Sequence, residues 1–352
     1  MYDQKTNLRY IIPSPLKEVI GSVSSCIYNS PYCTYSSTDI ATALVMTAVQ
    51  NRSPYRVANS PDSDTVFERV YRGLDIETVE SLVKAQHPPK GIHLEILLDG
   101  NNQGFYGKDT LGTIGIKPKN GTHKAFGYLV AFSNTAPKGV VAVRELFDGS
   151  VTDTSREVID ELSKDYPIDV IVADGEFYKA EFIQYLCDRR IRFAMRRTNT
   201  GNIRKLGVTY MEPYLYVEDV KRPDGKVIHL KYWLYRFKGI DGDFYLASNM
   251  KKKPKMIRRM FKTRRNIETS FRERNRVGIK TTTRDFLVRL FFYMVSCLVY
   301  NVWQKVRFRY SMFAIRLDDV VESIKRHIRQ TLLSASDLFA VQRRHHIRLR
   351  IT

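Results

Sequence analysis

Apolar residues recur at helical spacing through the first ninety residues and in short strand-like runs after them. Over residues 36–51 the chain places Ile40, Leu44 and Ala48 on one face behind Ser, Thr and Asp capping residues, the pattern of an amphipathic helix. Val66, Phe67 and Val70 predict a second helix over 63–72. Ile76, Val79 and Leu82–Val83 predict a third over 75–85. Residues 1–90 therefore read as a helical N-terminal domain. The pattern changes at Pro88-Pro89-Lys90-Gly91.

Beyond that boundary, apolar runs bounded by turn residues predict strands at 93–99, 125–133, 139–143, 168–174 and 191–195. Helices fit 155–165, capped by Thr154 or Ser155, and 179–190. The order β-β-β-α-β-α-β predicts an α/β fold, a mixed sheet flanked by helices. Over 198–250 Tyr, Val and Leu alternate with polar residues around the turn Pro223-Asp224-Gly225, which predicts a β-rich, antiparallel insertion. From Lys251 the chain is helical and basic. The run 286–303 is apolar enough to raise the question of a membrane span, yet it contains Arg289 and Asn301 and is only 18 residues long. A buried helix, and no membrane, is the expectation. The predicted organisation is a helical domain over 1–90, a core over 91–197 and 251–305, the insertion over 198–250 and a basic helical tail over 306–352. In that tail Val320, Val321, Ile324 and Ile328 share a face.

Composition narrows the class. Hydrophobic residues are 43% and charged residues 27% of 352, which excludes a disordered or fibrous chain. Cys26, Cys33, Cys187 and Cys297 form no Cys-x-x-Cys pair, so neither a disulfide scaffold nor a cysteine zinc site is expected. No secretory pattern opens the sequence, and a reducing, cytoplasmic setting follows. The net charge of +20 is uneven: residues 251–352 carry 26 of the 57 basic residues and 7 of the 37 acidic ones. An excess so local points to a polyanion partner, set against the plainer reading of a solvated basic face.

Three carboxylates stand out. Asp99 and Asp174 each follow an apolar run, where an open α/β sheet places its chemistry. Taken singly, each is as well explained as a turn or cap residue. Glu268 lies among Arg264, Arg265, Arg272, Arg274 and Arg276, and on a helix Arg264, Glu268 and Arg272 share one face. A salt-bridge ladder would look the same. The alternative is an oxygen-only ligand set for Mg²⁺ or Mn²⁺, flanked by arginines that hold phosphates the carboxylates would repel. Lys280 and Lys108 are further candidate phosphate contacts. The aromatic residues Tyr214, Tyr216, Tyr232, Trp233 and Tyr235 suit either base stacking or the packed face of a sheet. No histidine has a ligand spacing, His345–His346 included.

With these residues in place, the chain resembles the RNase H-like DDE transposases of prokaryotic insertion sequences, and among them archaeal-type members with a β-rich insertion before the last catalytic helix. The resemblance covers about residues 90–305. It rests on Asp99 followed by Tyr106-Gly107-Lys108, on Asp174-Gly175-Glu176-Phe177, and on Ile267-Glu-Thr-Ser-Phe-Arg272. The family pattern Tyr-x2-Arg-x3-Glu-x6-Lys is met at Arg264 and Glu268, with Phe261 in place of the Tyr and Asn275 in place of the Lys. The resemblance implies that Asp99, Asp174 and Glu268 are catalytic and hold Mg²⁺, with Mn²⁺ able to substitute. It implies cleavage at transposon ends and strand transfer into target DNA by a homodimer or larger assembly, in a nucleoid-associated setting. Two other readings use the same residues: an RNase H-like nuclease without strand transfer, and an inactive DNA-binding relic. Asp109, Asp169 and Glu176 lie near these segments in sequence only.

Overall fold

The computed structural model describes residues 4–29, 35–54, 63–146, 150–198, 201–222, 224–240 and 242–331. Cys33, Pro223 and His345–His346 lie outside the described residues, as does the tail beyond 331. The chain divides into two compact units. One comprises residues 1–85, 273–283 and 287–352, the other residues 86–272 and 284–286.

The first unit opens on α1 (Gln4–Ile11) and α2 (Pro13–Ser25), which the apolar pattern did not reveal. Pro13 and Pro15 lie in the opening turn of α2, where no backbone N–H is needed as donor. The helix expected over 36–51 is α3 (Ser37–Gln50). The Ser36 side chain accepts from the Asp39 N–H while Asp39 accepts from the Ser36 N–H, a reciprocal cap. Ile40, Leu44 and Ala48 are buried as the spacing predicted. Next come α4 (Ser63–Gly73) and α5 (Ile76–Ser81), the latter capped by Asp75 and continued by a 3₁₀ turn over Leu82–Gln86.

The second unit is built on one nine-stranded mixed sheet. Its strands are β1 (Leu94–Gly104), β2 (Thr113–Lys119), β3 (Thr122–Ser133), β4 (Gly139–Glu145), β5 (Ile168–Ala173), β6 (Arg192–Arg197), β7 (Tyr214–Lys221), β8 (Val227–Gly239) and β9 (Gly242–Ser248). The order is β2-β3-β1-β5-β6-β9-β8-β7, with β4 also on β3. The α/β class and the strand order from β1 to β6 agree with the sequence pattern, except that β2 is additional. The insertion is antiparallel but not a separate patch: β9 pairs with β6, Met195 opposite Ala247, so β7–β9 extend the central sheet. Helix α6 (Val151–Leu162) is capped by Ser150 rather than by Thr154 or Ser155, and begins one turn earlier than expected. With α7 (Ala180–Asp188) it covers one face. Val158, Ile159, Leu162, Phe182, Ile183 and Leu186 pack there against Ile96, Leu98, Ile171, Ala173 and Phe193. A short α8 (Gly201–Lys205) leads into the insertion, and α9 (Pro254–Lys262) and α10 (Arg265–Arg274) follow it.

The chain then returns to the first unit. The apolar run forms α11 (Phe286–Arg309), long and apolar enough to cross a membrane, yet 89% of its most hydrophobic window is buried within the protein. It is a core helix, as expected. From Leu287 it groups with the first unit, whereas the sequence pattern had assigned residues up to 305 to the catalytic core. The Nε of Arg289 donates to the Thr283 carbonyl at 2.6 Å. A last helix, α12, covers 317–331, with Val320, Val321, Ile324 and Ile328 buried.

Candidate active site

Strands β1 and β5 run parallel, with Leu98 opposite Ala173. The next residues along the two strands are Asp99 and Asp174, so the register alone sets the two carboxylates side by side. The buried runs Leu97-Leu98 and Val172-Ala173 anchor both strands in the core and fix that register. The sequence pattern ended the first strand at Asp99. In the structure β1 continues to Gly104, paired antiparallel with β3, Asp99 lying opposite Val130. Gly-Asn-Asn-Gln-Gly has little strand propensity, and its pairing to β3 overrides that preference. Asp174 does end its strand, and its Oδ1 accepts the Gly175 N–H at 2.6 Å to cap a 3₁₀ turn over Gly175–Phe177.

The third carboxylate comes from α10. Ile267 and Ser270 are buried on its inner side, which leaves Glu268 and Arg272 outward. Arg264, just before the helix, gathers the three acids. Its Nη1 lies 3.1 Å from Asp99 Oδ2 and 3.4 Å from Asp174 Oδ2, and its Nη2 donates to Glu268 Oε1. Only 18% of the Arg264 side chain and 17% of that of Asp99 are exposed, so these charges interact with little solvent screening. Burial pushes the Asp99 carboxyl up to about 6. Arg264 and the Gly100 N–H pull it down, Asp174 and Glu268 push it up, and burial outweighs the rest.

Such a set of hard oxygen donors, crowded by like charge, suits a divalent cation of the Mg²⁺ or Mn²⁺ type and no soft metal. Among the described residues no three Asp, Glu, His or Cys side chains are grouped closely enough to ligate one ion. The three carboxylates are joined instead through the Arg264 guanidinium. The residue types therefore fit the ion in kind, and Arg264 supplies the positive charge that holds them together here.

The other sequence candidates are scattered. Arg265, Arg272 and Lys280 are exposed, and so is Lys108. Arg274 is buried, with its guanidinium 3.8 Å from the centre of the Tyr293 ring and its Nη2 donating to Asn275 Oδ1. Arg276 pairs with Glu273 and Asp318. Asn275 is exposed and its carbonyl accepts from the Asn51 side chain. Asp109 pairs with Lys124 and Asp169 with His93 and Arg192, while Glu176 is exposed; none joins the carboxylate cluster. Tyr232 is fully buried in the core with Tyr216 packed on it, and Tyr235, buried on the opposite face of β8, donates its hydroxyl to the Met250 carbonyl, so all three are packed side chains of the sheet.

Two supporting contacts had no signal in the sequence. Asn266 Nδ2 donates to Asn134 Oδ1 at 2.7 Å, and Asn134 Nδ2 to Glu95 Oε2 at 2.9 Å, tying the start of α10 to β1. Behind the Asp174 turn, the Tyr178 and Tyr232 hydroxyls share a hydrogen bond and the Arg197 guanidinium lies 4.3 Å from the centre of the Tyr178 ring. Both links join residues far apart in the chain, so only the folded register brings them together.

The family model for the transposase DDE domain matches residues 96–302, more than half of the chain and all three carboxylates. Seven chains of solved structures are similar in fold. One belongs to the cryo-EM structure of a piggyBac transposase synaptic complex with hairpin DNA. It has a TM-score of 0.57 and 15% sequence identity, over 95% of this chain and 81% of that one. No curated protein sequence matches.

Proposed function

Because this chain belongs to the family of transposase DDE domains, we propose that it cleaves DNA at the ends of a mobile element and joins those ends to target DNA. Asp99, Asp174 and Glu268 are its catalytic carboxylates in this reading. The observation that carries it is their convergence on Arg264 from two adjacent parallel strands and one helix.

In the first reaction a water oxygen attacks phosphorus at the element's end and the bond to the 3′ oxygen breaks, leaving a 3′-hydroxyl and a 5′-phosphate. In the second, that 3′-hydroxyl attacks a phosphorus of target DNA and displaces the target's own 3′ oxygen. Asp99, Asp174 and Glu268 would hold the Mg²⁺ or Mn²⁺ that, when bound, activates the attacking oxygen and stabilises the leaving one. The chain's own contribution is placement. The β1–β5 register fixes Asp99 beside Asp174, α10 brings Glu268 to them, and Arg264 keeps the acids from splaying apart. Arg265, Arg272, Lys280 and Lys108 are exposed cations suited to DNA phosphates. Pairing of two element ends by a homodimer or larger assembly, in the cytoplasm at the nucleoid, completes the proposal.

The test uses DNA carrying the gene's own flanks, purified full-length protein and Mg²⁺, scored for 3′-end nicking and for joining to a plasmid. Asp99→Asn and Glu268→Gln should each lower both activities about a thousandfold, equivalent to about 4 kcal/mol of transition-state stabilisation. Nicking without joining by the unaltered protein would reduce the function to a nuclease. Nicking retained by both variants would remove these carboxylates from the chemistry.

A further inference from the structure

We infer that the outward face of α9 is a track for the phosphate backbone of duplex DNA, separate from the arginines around Glu268. Along α9 the cations Lys255, Arg258, Arg259 and Lys262 stand at i, i+3, i+4 and i+7, so they form one ridge, and all four are exposed. Ile257 is fully buried, and α9 packs on β5, β6 and β9. The ridge therefore has a fixed direction rather than being a floppy basic segment.

Residues 251–267 contain no Asp or Glu, and none of the four ridge cations is in an ion pair with an acidic side chain of the described residues. Two other cations of the same unit are paired by contrast, Lys90 with Asp165 at 2.6 Å and Arg192 with Asp169 at 3.4 Å. Four like charges along one helix face repel one another, a cost that a polyanion relieves. Arg258 is within 5.7 Å of the Phe237 ring centre, which orients its guanidinium without neutralising it.

The occupant follows from spacing and side-chain type. Lys255 to Lys262 spans about 10 Å of helix axis, at about 1.5 Å per residue. One strand of duplex DNA presents a phosphate about every 3.4 Å along the duplex axis, so the ridge matches about three phosphates. Apart from its cations α9 has no polar side chain, neither amide nor hydroxyl, so it grips a backbone and does not read a sequence. Lys262 lies two residues before Arg264, so DNA held on the ridge is led towards the carboxylates. The inference takes only the identity of the polyanion from the function proposed above, and its test needs no catalysis.

That test measures binding of the full-length protein to two duplexes of unrelated sequence, in chelator, across a salt series. Replacing Lys255, Arg258, Arg259 and Lys262 together by Gln should make the plot of log affinity against log salt shallower by about 2.7, for three phosphates lost at about 0.9 each. Affinity should fall equally on both duplexes. A Lys90→Gln, Arg192→Gln double variant should keep the original slope. An unchanged melting temperature shows that the quadruple variant folds, as exposed positions predict. An unchanged slope in that folded variant would overturn the inference, and so would a loss confined to one duplex. Loss of nicking in Asp99→Asn with normal binding would bear on the proposed function alone.

Discussion

Asp99 carries a conflict that its proposed role explains. Folding buries it beside Asp174 and Glu268, and Arg264 does not fully offset that burial, so its carboxyl rests near 6 against an ordinary 3.8. A raised carboxyl stabilises the fold below about pH 4, where both states are protonated, and that contribution is lost as pH rises through 6. Asp99→Asn should therefore match the unaltered protein in stability near pH 4 when metal-free. At pH 7.5 it should exceed it by about 2 kcal/mol, a rise of several degrees in melting temperature. Thermal melts at the two pH values check this, and a variant advantage equal at both would contradict it. The same residue would lose activity, the trade expected where a site is built against the stability of its fold.

Among the elements, the β-rich insertion is the instructive one. Its strands were legible from alternation, but their attachment was not, because β9 meets β6 through a pairing some fifty residues apart that no local pattern encodes. β2 was hidden for a related reason: Thr-Ile-Gly-Ile-Lys-Pro-Lys reads as turn material, and β3 recruits it. The helices α1 and α2 were masked by Pro13 and Pro15, which punctuate a sequence even where a first helical turn accommodates them. The carboxylates were legible because short buried runs end beside them, and Glu268 because a basic helix frames it. Its link to Asn134 was not, since a side-chain hydrogen bond leaves no spacing. The insertion also bears on the site through the Tyr178–Tyr232 hydroxyl pair. Tyr232→Phe should leave the Tyr178 hydroxyl without that bond and cost about 1–2 kcal/mol in denaturant unfolding, with the secondary structure unchanged. A loss under about 0.3 kcal/mol would show that this pair does not fasten the insertion.

Across the whole molecule the charge is sorted by role. Among the described residues of the basic C-terminal hundred are cations spent within the fold, such as Arg274 on Tyr293 and Arg276 with Asp318, and cations left outward, those of α9 among them. Net charge alone could not make that division. It requires knowing which side chains the helices turn inward. Within the sheet-bearing unit, α9 leads in sequence to Arg264, and Arg264 gathers the acids of β1, β5 and α10. The outward cations of α9 thus directly precede the arginine that gathers the carboxylates, which suits the proposed role of holding a polyanion while cutting it.

In the proposed function Asp99, Asp174 and Glu268 act as one metal-holding set. The most direct test of this is to change one donor atom and follow the metal preference. Asp174→Cys replaces a hard oxygen by a softer thiolate, which tolerates Mn²⁺ far better than Mg²⁺. End nicking and joining by this variant should be absent in Mg²⁺ and restored in Mn²⁺, while the unaltered protein works in both. Full activity of Asp174→Cys in Mg²⁺ would contradict the account.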